Sequence, residues 1–304
     1  MIKKNILVLC VFISLFNCKN EKRDNGKLNV VTTTSMITDL VKNIGGEHIN
    51  LEGLMGSGVD PHLYKASEGD VTKLVNADII FYNGLHLEGK LVDVFEKMGS
   101  QTKTPIALAE EIDKSTLIGS DYFASNYDPH VWFNISYFKQ FANKVTSVLS
   151  EKDSKNKVTY IENEKKYLAK LDVLQRNIKA LTELLPAEKR ILVTAHDAFN
   201  YFGKNYGFEV VGLQGLSTAT EAGVQDVQKL AAFIIEKKVK AIFVESSVPK
   251  RTIQALEAAV KSKGHEVSIG GTLYSDALGN AGTFEGTYIG MFEYNVNTIV
   301  NALK

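Results

Sequence analysis

The chain has 304 residues, of which 44% are hydrophobic and 23% are charged, values that are ordinary for a globular protein with room for two domains. Lysine plus arginine equals aspartate plus glutamate, at 35 each. This balance excludes a bulk electrostatic attraction to nucleic acid or to an acidic partner, so we predict no nucleic acid as a partner.

The N-terminal residues have the pattern of an exported lipoprotein. Residues 1–17 predict a signal peptide, because two lysines precede an apolar run at 6–16 that is too short to span a membrane. Cys18 follows Leu15 at the spacing of a bacterial lipobox, although Phe and Asn stand between them where small residues are usual. We predict that Cys18 is lipidated and that the polar residues 18–27 tether the protein to a membrane surface. An ordinary signal peptide with an incidental cysteine is the alternative.

Strands alternate with helices along the rest of the chain, which predicts parallel sheets with helices on both faces. In the first half, the predicted strands are 28–32, 50–55, 77–82 and 104–107, and the predicted helices are 36–44, 68–75, one within 83–99, and 134–149. In the second half, the predicted strands are 190–194, 209–213, 240–244 and 266–269, and the predicted helices are 198–205, 225–237, 252–263 and 287–303. Residues 56–64 and 113–128 are predicted to be loops.

Residues 154–185 predict one long helix between these halves. Its apolar residues recur at steps of three, four or seven and so share one helical face: Ile161, Leu168, Leu171, Leu174, Ile178, Leu181 and Leu185. A helix of this length spans roughly 48 Å, which is longer than a small domain is wide. We therefore predict an α/β protein of two lobes, 28–150 and 187–304, each a small parallel sheet flanked by helices. The linking segment 151–186 would join them as one rigid helix, and a surface helix of a single large domain is the alternative.

Open parallel sheets bind their ligands beyond the carboxyl ends of the strands, and four ionisable residues are candidates for that edge, with His130 placed just before the predicted helix 134–149. His62 and His130 each end an Asp-Pro-His tripeptide, His196 follows the strand at 190–194, and Asp276 lies beyond the last strand. Two of them come from each lobe, so all four could meet at the cleft between the lobes. Three imidazoles and one carboxylate suit Zn²⁺, Mn²⁺ or Fe²⁺.

The other histidines and nearby carboxylates have weaker signals. His48 and His265 are interpreted as ordinary turn residues, and His86 as a strand-end residue that could touch the cleft. A ligating imidazole usually donates its other N–H to a carboxylate or carbonyl. The candidates for that role are Asp60, Asp128, Glu221 and Glu245, and each could instead cap a loop or helix.

Six motifs then occur in order around the long helix: DPHLY, DPHVWF, VTAHDAFNYF, GLQGLSTATEA, IFVESSVP and GGTLYSDALG. Together they resemble the TroA-like zinc/manganese solute-binding lipoproteins of bacterial metal ABC importers, over residues 28–304. The family's ligand positions fall on the same four residues, His62, His130, His196 and Asp276. The resemblance implies one Zn²⁺ or Mn²⁺ ion per monomeric chain, limited lobe closure, and delivery to a membrane permease from the cell envelope, either on the outer face of the cytoplasmic membrane or in the periplasm.

The resemblance leaves the metal open. Members dedicated to manganese often carry Glu where this chain has His196, and dedicated zinc members often insert a His-rich loop, whereas residues 113–128 contain no His. The chain therefore resembles the subgroup that accepts both metals.

Two other functions were weighed. A metal-dependent hydrolase could use the same four ligands, but four protein ligands would close a tetrahedral zinc site, and the sequence has no HExxH motif. A surface adhesin lipoprotein is the other alternative. We predict a metal receptor and not an enzyme.

Overall fold

Two α/β lobes flank one long helix in the computed structural model, which describes residues 26–99, 105–121 and 123–304. This arrangement confirms the predicted fold class. The predicted signal peptide, Cys18 and most of the tether lie outside the described residues.

The N-terminal lobe contains a parallel sheet of four strands in the order β2-β1-β3-β4. The strands are β1 (Leu28–Thr32), β2 (Ile49–Gly53), β3 (Ile79–Tyr82) and β4 (Ile106–Ala107). The helices are α1 (Ser35–Gly45), α2 (Glu68–Asn76), α3 (Val92–Gly99) and α4 (Ile135–Lys152). Helix α3 begins late in the predicted interval because Leu85 and His86 have positive φ angles of 50° and 62°, which an α-helix does not accept.

The C-terminal lobe contains two parallel strand pairs, β5-β6 and β7-β8, with β5 beside β7. The strands are β5 (Ile191–His196), β6 (Glu209–Gln214), β7 (Ala241–Glu245) and β8 (Ser268–Leu273). The helices are α6 (Asn200–Tyr206), α7 (Val224–Lys237), α8 (Arg251–Ser262) and α9 (Tyr288–Leu303). Strand β5 is longer than predicted, so His196 is its last residue and does not follow it. The predicted strand 266–269 is also misplaced, since β8 begins at Ser268 and continues to Leu273.

The long helix, α5, covers Lys157–Thr182, and a 3₁₀ turn at Ser154–Asn156 precedes it. Its 26 residues correspond to roughly 39 Å, which is shorter than predicted because the residues before Pro186 form turns. The predicted face is wrong at its start, where Ile161 is 45% exposed and Tyr160 is buried. The polar hydroxyl of Tyr160 can be buried at this position because it donates a 2.7 Å hydrogen bond to Asp153.

One continuous apolar core extends through both lobes. Helices α1 and α4 from the first lobe and α9 from the second all pack against α5, so the lobes meet along this helix. The largest fully buried rings of this shared core include Trp132, Phe133, Phe138, Tyr288 and Phe292. Two smaller clusters cover the remaining sheet faces, one in each lobe. The lobes therefore share their main core and do not fold around two independent ones.

Candidate metal centre

The structure brings together all four residues that the sequence predicted as ligands. His62 lies in the loop after β2, His130 in the turn before α4, His196 at the end of β5, and Asp276 in the loop after β8. Each offers one ligand atom, these atoms all lie within 4.8 Å of one another, and all four residues are buried. The four residues therefore converge from both lobes, although His130 comes from the turn before a helix and not from a strand end.

His130 is oriented by Asp128, which stands two residues before it. Asp128 Oδ1 accepts hydrogen bonds from the main-chain N–H of His130 at 2.9 Å and from its Nδ1 at 2.7 Å. Because a carboxylate only accepts, Nδ1 is the donor in this bond, and Nε2 is the ring nitrogen that faces His62 and Asp276. Asn200 from α6 donates to the other oxygen of Asp128 at 3.0 Å, which links the two lobes directly behind the ring.

His196 is held in the same way, by a residue far away in sequence. Glu245, the last residue of β7, accepts from the main-chain N–H of His196 at 2.8 Å and from its Nδ1 at 2.5 Å. Burial lowers the pKa of His196, but the charges of Glu245 and then Asp276 outweigh it and raise that pKa well above its ordinary value. In the absence of metal, we therefore expect His196 to be protonated at neutral pH.

His62 is supported through its main chain. Asp60 Oδ1 accepts from the backbone N–H of His62 at 2.8 Å, and Asp60 Oδ2 accepts from the hydroxyl of Thr218 in the other lobe at 2.5 Å. The Nε2 atoms of His62 and His130 are 3.3 Å apart. Burial, opposed by the charge of Asp276 and aided by the neighbouring histidines, lowers the pKa of His62 to about 3. This imidazole is therefore neutral and ready to donate its lone pair to a metal.

Asp276 provides the negative charge of the centre. Burial alone would raise its pKa, but the three surrounding histidines, His196 foremost, lower it below the ordinary value, so this carboxylate is ionised. Its Oδ2 accepts from the Ser247 hydroxyl at 3.3 Å and lies 3.3 Å from His196 Nε2, while its Oδ1 lies 3.6 Å from His130 Nε2.

Two atoms of this cluster lack a hydrogen bond among the described residues. They are Asp276 Oδ1 and His196 Nε2, both fully buried. Buried polar atoms are rarely left without partners, because each costs its full desolvation penalty. A divalent cation coordinated by three nitrogens and one oxygen would satisfy both atoms at once, and this donor set suits Zn²⁺, Mn²⁺ and Fe²⁺.

Comparison with known proteins agrees with this geometry. Residues 30–302 match the family described as "Zinc-uptake complex component A periplasmic", or ZnuA. The chain belongs to this family. It is 47% identical to "Manganese-binding lipoprotein MntA" of Bacillus subtilis (strain 168) over 300 residues, which cover 98% of this chain and 97% of that protein. It is also 47% identical to "Zinc-binding protein TroA" of Treponema pallidum (strain Nichols) over 296 residues, or 97% and 95% of the two chains.

The fold comparison leads to the same family. The solved structure of the periplasmic zinc binding protein TroA from Treponema pallidum superimposes with a TM-score of 0.89 and 48% identity, covering 91% of this chain and 99% of that one. The resemblance predicted from the six motifs is confirmed.

Of the remaining predicted residues, Glu221 is not brought to the centre of this ZnuA-family chain. Its carboxylate forms a 2.5 Å ion pair with Arg251, and both side chains are about two-thirds exposed, at 67% and 69%. His86 is exposed, and its ring centroid lies 6.3 Å from that of Phe123. The other two histidines contact Tyr160 and the carbonyl of Val239, far from the four ligands in the fold.

Three supporting residues were missed by the sequence reasoning. Thr218 and Ser247 lie in two of the motifs but were given no role, although their hydroxyls bind Asp60 and Asp276. Gly212 in β6 packs directly behind His196, where an added Cβ would lie 2.5 Å from the His196 carbonyl carbon. A glycine inside a predicted strand is the signal for such a close approach of two backbones.

Proposed function

We propose that this chain is an extracytoplasmic receptor that captures one Zn²⁺ or Mn²⁺ ion as transport cargo and delivers it to the membrane permease of an ABC importer. The ligands would be His62, His130, His196 and Asp276. The observation that carries the proposal is their buried convergence, with two ligand atoms that have no hydrogen-bond partner among the described residues. Family membership supports it, since one relative is named for manganese and another for zinc.

The donor set favours zinc in a direct competition. Three imidazole nitrogens and one carboxylate bind Zn²⁺ more tightly than Mn²⁺ by the Irving–Williams order. The supply of each metal outside the cell would then decide which ion is carried.

The same geometry argues against hydrolysis at this centre. A catalytic zinc needs an open coordination position for water and a general base beside it. Here four protein atoms converge, and the adjacent carboxylates Asp128, Glu245 and Asp60 already accept hydrogen bonds, the first two from ligand rings and the third from the His62 main chain and Thr218. We therefore assign the chain a binding role and no catalytic one.

The receptor would be held at the membrane by lipid on Cys18, which lies outside the described residues. None of the helices in the described ranges is long and apolar enough to cross a bilayer. The lipoprotein names of the relatives support an anchor of this kind. Multiple acyl chains on one cysteine would supply enough buried CH₂ groups for stable attachment.

The test is a competition titration of purified protein against a zinc chelator. His62→Ala, His130→Ala and His196→Ala each remove one inner-sphere bond and should lower affinity by about two orders of magnitude or more. His86→Ala removes an exposed imidazole and should change affinity by less than about twofold. Equal losses in His86→Ala and His196→Ala would overturn the assignment of the ligands.

A further inference from the structure

The loop between β6 and α7 inserts one side chain between the lobes. This loop covers residues 215–223, and Thr218, which is 8% exposed, is the only one of them that is buried. Threonine is mostly found at the surface, so its burial here requires a partner for its hydroxyl. That partner is Asp60 of the N-terminal lobe, whose Oδ2 accepts from the Thr218 hydroxyl at 2.5 Å.

Asp60 connects this hydroxyl to a proposed metal ligand. Its other oxygen, Oδ1, accepts from the main-chain N–H of His62 at 2.8 Å. With both oxygens bonded, the carboxylate cannot swing away without breaking one of the two hydrogen bonds. Thr218 therefore holds the main chain of His62 in place from the opposite lobe.

Two of the other proposed ligands are fixed by the framework of the fold. His196 is the last residue of β5. The loop of Asp276 is fastened to α1 two residues later, where the N–H of Leu278 donates to Ser35 Oγ at 2.8 Å. Leu278 is 2% exposed and belongs to the shared core, so this loop cannot move without disturbing that core.

His130 is also fixed, because two consecutive residues of α6 bind the aspartate that orients its ring. Asn200 donates to the carboxylate of Asp128 at 3.0 Å, and the Tyr201 hydroxyl donates to the main-chain carbonyl of Asp128 at 3.1 Å. The segment that carries His130 is therefore attached to the C-terminal lobe at two points.

The loop that carries His62 has a weaker attachment. Residues 56–58 are exposed, and Gly56 and Gly58 allow this stretch a wide range of backbone angles. Gly58 has a φ of 70°, and an added Cβ would lie 3.5 Å from the carbonyl oxygen of Ser246, so the loop rests against the C-terminal lobe here. Among the described residues, the Thr218–Asp60 bond is the one side-chain hydrogen bond that joins residues 56–64 to that lobe.

We propose that Thr218 is a positioning residue for metal retention: its hydroxyl keeps the loop of His62 closed over the bound ion and so sets the rate of release. The proposal rests on the proposed function and deepens it, since it names the contact that must break before the ion is handed on. Once this bond breaks, His62 can leave while the other three ligands stay in place.

The size of the effect follows from the fate of Asp60 Oδ2. Without the hydroxyl, this oxygen has lost its donor in the closed loop, whereas water can reach it when the loop opens. An unsatisfied buried acceptor of this kind shifts the balance towards the open loop by about tenfold or more.

The test measures zinc dissociation and association separately by stopped flow, with an excess of a chromophoric chelator for dissociation. Thr218→Val keeps the shape of the side chain without its hydroxyl, and should raise the dissociation rate about tenfold. The association rate should stay within about twofold, because the ion enters before the loop closes. Thr218→Ser keeps a hydroxyl and should restore slow dissociation. Thr220→Val, the same change on an exposed residue of this loop, is the control and should behave as wild type.

A double-mutant cycle tests whether Thr218 acts through Asp60. Asp60→Ala removes the acceptor, so adding Thr218→Val to it should raise the dissociation rate by no more than about twofold further. Independent, multiplying effects of the two changes would overturn the proposal. Wild-type dissociation in Thr218→Val, or fast dissociation in Thr218→Ser, would overturn it as well.

Hydrogen exchange of the metal-free protein separates this proposal from the proposed function, because it requires no metal. In Thr218→Val, the peptide that covers residues 56–64 should exchange faster than in wild type, whereas the peptide that covers 128–133 should not change. Equal exchange of residues 56–64 in both proteins would refute the role of Thr218. A wild-type protein that binds no zinc would remove the proposed function, and the exchange rates would still decide whether the hydroxyl holds the loop.

Discussion

Glu245→Gln is the most informative single change, because Glu245 controls both the orientation and the protonation of His196. Its two oxygens accept from the main-chain N–H and from Nδ1 of His196. A glutamine of the same shape presents one oxygen and one NH₂ group, so only one of those two donors keeps an acceptor. If the NH₂ group faces the ring, the imidazole turns to the other tautomer and its proton then occupies Nε2, the atom that should bind metal.

Two opposing effects determine how much metal affinity the Glu245→Gln variant loses. Loss of a carboxylate behind a ligating histidine usually costs about 10- to 100-fold in metal affinity, or about 1.4 to 2.8 kcal/mol. Glu245 also raises the pKa of His196, so wild-type protein must release a proton when it binds metal. In the Glu245→Gln variant, the proton competes less strongly with the metal for His196, which offsets part of the loss in affinity. We therefore expect a loss of about tenfold near pH 7, growing towards about 100-fold at higher pH, where His196 of wild type no longer carries a proton.

The assay is a chelator competition titration over a pH series, together with calorimetry in two buffers of different ionisation enthalpy to count released protons. Wild type should release about one proton per metal below the pKa of His196, and its affinity should fall as the pH is lowered. Glu245→Gln should release fewer protons per bound metal ion. Glu257→Gln, which breaks an exposed ion pair with Lys261, is the matched control and should behave as wild type. Zinc binding without proton release in wild type, or an affinity loss that is the same at every pH, would refute this reasoning.

Three further predictions concern the framework, the anchor and the lobes. Gly212→Ala places a Cβ 2.5 Å from the Asp197 nitrogen and should destabilise the metal-free protein by about 1–3 kcal/mol in thermal unfolding. The control Gly215→Ala meets nothing within 4 Å and should cost less than about 0.5 kcal/mol. Equal losses of stability in the two variants would contradict the packing argument. Cys18→Ser should move the protein from the membrane fraction to the soluble fraction, and its retention with the membrane would disprove the anchor. Metal binding should leave the radius of gyration nearly unchanged in small-angle scattering, and a change of several ångströms would reveal a wide hinge.

Much of the centre could be predicted because its residues mark strand ends. His196 and Glu245 end the adjacent strands β5 and β7, and parallel strands bring their carboxyl ends to one edge. Asp128 is near His130 in sequence, so its support is a local contact. Glu221 was misassigned because it lies in a loop, and its partner Arg251 comes from another helix, a pairing that no local pattern specifies.

The relation between the lobes could not be predicted, because hydrophobic periodicity identifies a buried face but not the element that covers it. The apolar residues of α5 predicted a helix against two lobes, whereas the structure shows one core continuing across them, through α1, α4 and α9. This continuity limits how the metal can leave. Opening the lobes enough to expose about 400 Å² of apolar surface would cost about 10 kcal/mol, which is comparable to the whole stability of a typical domain. We therefore propose that release comes from movement of the loop that carries His62, since the loop of Asp276 is held in the shared core by Leu278.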